Sequence, residues 1–185
     1  MSSSVQICNR ALIRIKADLI SSLEGSATNE IIANTIYDSV RRSLLRAHNW
    51  NFATEYVELA QLTDSPVFKF DFAYQLPSDC LRVLDLHGTE EDFKVIGNKL
   101  YTDTDAAYLI YIKDVTDTGS FDVLFEECLV LKLAYELCFY ITGSAPLTAQ
   151  LLQEFELKFK EAKRADGQED IPDSWSNGTI IDSRF

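Results

Sequence analysis

The sequence predicts an α+β protein that is mainly α: a four-helix bundle, a small antiparallel β insertion between helices 2 and 3, and an extended C-terminal tail. Three observations predict it. Apolar residues recur every three or four positions through 5–48 and again through 121–162. They alternate at every second position through much of 54–113. Neither period continues past 165. The resulting units are 1–53 with 114–165 as the helical bundle, 54–113 as the β-rich insertion and 166–185 as the tail.

Residues 5–16 read as the first helix, because Val5, Cys8, Leu12 and Ile15 fall on one face. A turn-rich break at 21–26 follows, and residues 28–48 read as a longer helix. Its stripe is Ile32, Ile36, Val40 and Leu44, and Ser26 or Thr28 is placed to cap its start. The period then changes. Residues 54–59 read as a strand, and Phe68, Phe70, Phe72, Tyr74 and Leu76 alternate up to Pro77. Residues 81–86 make another strand, and 93–96 and 99–102 flank Gly97-Asn98, a dipeptide suited to a tight hairpin turn. In 107–113 the face is Tyr108, Ile110 and Ile112. Helices return after Gly119, with Ser120 as a cap and an apolar face of Phe121, Leu124, Phe125, Cys128, Leu131, Tyr135 and Cys138. Thr142-Gly143-Ser144 breaks the chain, and Pro146 suits the first turn of a last helix whose stripe is Leu147, Leu151, Phe155 and Phe159. So short a break makes these two helices antiparallel neighbours.

The charge balance restricts function. The net charge is −12, yet residues 1–46 carry six cations and four anions, so the acidic excess lies in 47–185. Neutralising phosphate needs Lys and Arg, which makes the chain as a whole a poor nucleic-acid binder. Arg41, Arg42 and Arg46 are the exception, clustered near the end of the second helix. They suit the helix dipole there and equally a face turned toward a partner. Met1-Ser2-Ser3-Ser4 has neither the basic nor the apolar region of a secretory signal, and no apolar run has the length of a membrane span. The expectation is a soluble product of a cytoplasm with no membrane partner.

A catalytic constellation does not emerge. Cys8, Cys80, Cys128 and Cys138 form no C-x-x-C pair and have no histidine at ligand spacing, so buried free thiols are expected. His48 reads as a residue of a helix end and His87 as a turn residue. Glu90-Glu91-Asp92 and Glu126-Glu127 are adjacent carboxylates, and adjacency does not place two acids across a sugar. No nucleotide-binding or nucleophile-elbow motif is present. No catalytic residue, cofactor or metal ligand is therefore expected.

Three segments carry a resemblance. Arg42-Ser43-Leu44-Leu45-Arg46-Ala47-His48-Asn49-Trp50-Asn51-Phe52-Ala53 resembles the LLR-x-H-x-W-x-F-A segment of the head-to-tail adaptors of short-tailed bacteriophages, also called tail tubular protein A or the tail accessory factor. Ile7-Cys8-Asn9-Arg10-Ala11-Leu12 is similar to that family's opening helix, although Ile15 is followed by Lys16 where the family has Gly. Tyr74-Gln75-Leu76-Pro77-Ser78-Asp79-Cys80-Leu81-Arg82-Val83 resembles its Y-x-L-P-x-D-x-x-R-V stretch. The late run 121–142 is similar to its third helix, so the resemblance covers most of 5–165 in order.

The resemblance implies a structural, non-enzymatic virion protein: a ring, typically of twelve copies, docked under the portal and made in the host cytoplasm. It joins the portal to the next tail or nozzle protein and lets DNA pass without specific binding. It also implies a C-terminal segment that extends along the portal, which makes Trp175, Ile180, Ile181 and Phe185 the expected portal-binding anchors. Arg41, Arg42 and Arg46 become expected intersubunit residues. An alternative is peptidoglycan hydrolysis, proposed for some members of that family, which needs Glu126 and a second carboxylate brought close by folding. A third reading is a host protein that binds other proteins through its bundle.

Overall fold

A computed structural model describes residues 2–63, 66, 69–89 and 91–169. Helix α1 (Ser4–Arg14) opens at Ser3, whose hydroxyl accepts from the Gln6 N–H while the Gln6 side chain accepts from the Ser3 N–H. Helix α2 (Thr28–Arg46) starts after Ala27, and neither Ser26 nor Thr28 caps it. The Glu30 carboxylate does this work by accepting from the Ala27 N–H at 3.1 Å and from the Ser21 N–H and hydroxyl at 3.2 and 3.0 Å. These hydrogen bonds, led by that from Ala27, hold Glu30 below the usual carboxylate range. Gly25 is part of this arrangement, because a Cβ there would fall 1.8 Å from a Glu30 carboxylate oxygen.

Six strands follow: β1 (Thr54–Glu58), β2 (Phe72–Gln75), β3 (Cys80–Leu86), β4 (Phe93–Ile96), β5 (Lys99–Thr102) and β6 (Tyr108–Lys113). The hairpin at Gly97-Asn98 forms as its dipeptide predicts, with Ile96 opposite Lys99 and Gly97 at φ 63°. Helix α3 (Val123–Thr142) begins at Asp122, not Ser120: the Asp122 carboxylate accepts from the N–H groups of Leu124 and Phe125. Gly143, left-handed, closes α3, and α4 (Ala145–Glu169) returns along it with Lys158 on Glu127 at 3.1 Å. The last helix runs to Glu169, so residues 166–169 belong to it and not to a tail.

The expected four-helix bundle with one small β insertion is not what forms. The strands make two separate three-stranded antiparallel sheets, in the orders β1-β6-β3 and β2-β5-β4. Helix α3 packs against α1, α2 and α4, while α2 also packs on β3 and β6. Sheet β1-β6-β3 therefore lies between the helices and the second sheet. Ile112 joins the helical core, and Leu109 and Tyr111 join a second core with Tyr74 and Leu100 from the other sheet. The physical reason lies in β6, a central strand buried on both faces, where the alternation of Tyr108, Ile110 and Ile112 describes only half of its packing. Strand β3 adds to both cores. Its pairing with β6 is irregular between Cys80 and Arg82 and between Val83 and Asp85, and the extra residues Leu81 and Leu84 pack on the helices.

Two smaller expectations also change. The stripe of α2 is Ala33, Tyr37, Val40, Leu44 and Leu45, with Ile32 and Ile36 at its margin, because a 3.6-residue turn drifts away from strict spacing of four. Among the described residues, the alternating run before Pro77 forms a strand over Phe72–Gln75, and Lys69 has a left-handed backbone at φ 65°. Phe68 lies outside the described residues.

Candidate functional site

The segment between α2 and β1 carries a dense set of specific contacts. Trp50 is 0% exposed, and its indole N–H donates to the Leu44 carbonyl at 3.0 Å. Its ring meets His48 edge-on at 4.9 Å and Phe125 at 5.1 Å, and Phe52 and Phe159 lie at 6.1 Å. Phe52 in turn packs on Phe121 and Phe125. The spacing of His48, Trp50 and Phe52 thus places three rings in one cluster that joins α2, α3 and α4 at the entrance to β1.

Asp166 ties the end of α4 to this cluster. Its carboxylate lies 3.0 Å from His48 Nε2 and accepts from the Asn51 N–H at 3.0 Å, and its carbonyl accepts from the Asn51 side chain at 2.8 Å. A carboxylate in the last turn of a helix opposes the helix dipole, and its contacts with His48 and the Asn51 N–H compensate it. Residue-by-residue reading of the sequence missed Asp166. The signal was present in Ala162, buried at helical spacing from Phe155 and Phe159, which carries the helix through 166.

The three arginines separate. Arg41 is 2% exposed and donates to Asp114 at 2.5 Å, to the Val115 carbonyl at 2.6 Å and to Asp38 at 3.3 Å. The expectation that it faces a neighbouring subunit is corrected, since its charge is satisfied inside its own chain, where it fastens α2 to the segment after β6. Arg42 shares Asp114 at 3.2 Å and stays exposed. Arg46 donates to the Leu81 carbonyl and also stays exposed. Only these last two present charge outward.

Glu126 accepts from Arg10 and from the Ser2 hydroxyl, and Glu127 pairs with Lys158. The partners Glu126 meets are a cation and a hydroxyl, where the hydrolase reading needs a second carboxylate. Cys8, Cys128 and Cys138 are buried and Cys80 is half-buried, all as free thiols. Burial pushes the thiols of Cys8 and Cys128 up to about 12, which leaves them unreactive. Among the described residues, no group of three or more His, Cys, Asp or Glu is placed to hold a metal ion, and no helix is long and apolar enough to cross a membrane. Trp175, Ile180, Ile181 and Phe185 lie outside the described residues.

In comparisons with known proteins, no family model matches the chain and no characterised sequence aligns with it significantly.

Proposed function

We propose that the chain is a structural head-to-tail adaptor of a short-tailed bacteriophage, one that assembles as a ring under the portal and continues the DNA channel toward the next tail protein. One observation carries the reading: the three adaptor-like segments occur in order, the first within the core-facing side of α1 and the other two at joints of this fold. Ile7, Cys8, Ala11 and Leu12 of the first are buried in the helical core. The second forms the aromatic corner between α2 and β1. The third runs from β2 to β3 and so connects one sheet to the other.

The layered body suits such a role. An acidic chain facing the channel repels phosphate and lets DNA slide. Arg42 and Arg46 are the outward cations of α2 and would meet an acidic neighbour in the ring. The experiment is to mix the purified full chain with portal rings and image the product by electron microscopy. A ring of added density on the portal is expected; portal rings that stay bare while the chain remains folded would overturn the reading.

A further inference from the structure

We propose that copies of this chain join edge to edge, with β1 of one copy pairing antiparallel with β4 of the next. The proposal rests on the ring reading above and names the contact that would build the ring.

The two sheets end in the edge strands β1, β3, β2 and β4. Arg46 donates to the Leu81 carbonyl and α2 packs on β3, which closes that edge. Residues 60–62 close the edge of β2: the Gln75 N–H donates to the Ala60 carbonyl at 3.3 Å, and the Leu62 N–H donates to the Ala73 carbonyl at 2.8 Å. Among the described residues, nothing pairs with the outer edge of β1 at 56–58 or with that of β4.

The hydrogen-bond pattern shows which residues face outward there. The Leu59 N–H donates to the Ala107 carbonyl at 2.9 Å, so Val57 and Glu55 also turn their backbone groups toward β6, while Tyr56 and Glu58 turn theirs away. The Leu76 N–H donates to the Asn98 carbonyl at 3.0 Å, so Leu100 and Thr102 turn toward β2, while Lys99 and Tyr101 turn toward β4. On β4, Ile96 and Lys94 are therefore bonded to β5, and Val95 and Phe93 turn outward. Both edges also expose apolar side chains: Tyr56 is 66% exposed, Ile96 42% and Val95 39%.

Setting Tyr56 opposite Val95 of the next copy brings these outward groups together along both strands, from Glu55 against Ile96 to Glu58 against Phe93. Tyr56 then covers Val95 on one face. On the other face Glu55 and Lys94 are diagonal neighbours, and Lys99 lies beside Ile96 on that same face. Charge selects this pairing over the like-with-like ones. A β1–β1 contact would gather Glu55 and Glu58 of both copies, and a β4–β4 contact would gather both Lys94 side chains. Glu55 also meets Lys113 of its own chain at 3.1 Å, which shares its charge between the two contacts. Glu91 and Asp92 fall past the end of β1 in this register. A contact between two unlike edges is head-to-tail, and head-to-tail contacts build a ring when the rotation closes.

Cysteine cross-linking provides the test. Tyr56→Cys and Val95→Cys chains are mixed, both carrying Cys80→Ser because Cys80 is only half-buried. Hydrogen-bonded antiparallel partners have Cα atoms about 5.5 Å apart, within disulfide range. Under mild oxidation a 56–95 disulfide, mapped by mass spectrometry, is expected several-fold more often than 56–56 or 95–95. Adding Lys94→Glu to the Val95→Cys chain is expected to lower that yield several-fold, and adding Glu55→Lys to the Tyr56→Cys chain is expected to restore it. Circular dichroism checks that each variant is folded. In the wild-type chain, amide exchange at Tyr56, Glu58, Phe93 and Val95 is expected to slow as concentration rises to about 1 mM. A 56–95 yield no greater than the like-with-like yields, or exchange at these amides that is independent of concentration, would overturn the proposal. Neither readout uses the portal: failure here leaves the portal experiment standing, and portal rings that stay bare leave this contact standing.

Discussion

Arg41 shows why a residue's role depends on its burial. Three cations near a helix end read as one surface cluster, but Arg41 falls on the buried side of α2, between Val40 and Leu44 in the core. There its guanidinium needs partners, and Asp114 and the Val115 carbonyl provide them. Arg41→Met is expected to lower stability by about 3 kcal/mol, the lower end for breaking a buried pair, because Arg42 still faces Asp114. Urea denaturation monitored by circular dichroism measures this. Glu30 makes a second prediction. Its folded-state carboxyl titrates below 4.5, so the unfolded chain takes up the proton first as pH falls. The stability from Glu30 is present in full above about pH 4.5 and is lost as pH drops through the lowered folded value. Wild type is therefore expected to lose more stability on acidification than Glu30→Gln, and parallel pH profiles would contradict this. Gly25→Ala is expected to destabilise through the same carboxylate, which it would displace.

At the scale of elements, ends and joints decide more than interiors. Helix α3 is apolar around most of its circumference and depends on Asp122 to define where it starts. Asp122→Ala is expected to cost about 1 kcal/mol, the usual effect of losing a cap. The same change at Ser120, the residue that local sequence first suggests, is expected to have little effect, since its hydroxyl donates to Asp117 in an exposed turn. Chemical denaturation of the two variants side by side separates these outcomes. The joint between α4 and the α2–β1 corner rests on Asp166. Asp166→Ala removes the carboxylate that the Asn51 N–H and His48 meet, and is expected to destabilise by about 1 kcal/mol, since the exposed Asn51 N–H can turn to water. Hydrogen exchange is expected to rise first in the last two turns of α4.

For the whole molecule, three layers and two cores share one central strand, β6. Helices and the first sheet therefore gain their burial together, and unfolding of the described body is expected to be a single transition. Removing residues 170–185 is expected to leave that transition cooperative while weakening attachment to portal rings, measured by co-sedimentation. Unchanged attachment would overturn the expectation that Trp175, Ile180, Ile181 and Phe185 are portal-binding anchors. The sequence by itself determined the order and most of the bounds of the elements, the Gly97-Asn98 hairpin, the Gly143 break and the antiparallel return of α4, because each depends on local periodicity or turn chemistry. Only the tertiary structure decided that the strands divide into two sheets, that β6 is buried on both faces, that Arg41 turns inward and that Asp166 clamps Asn51. The reason is physical: a period of 3.6 or 2 shows which face of an element is apolar, whereas the partner of that face depends on contacts between residues far apart in the chain, such as 41 with 114 and 51 with 166.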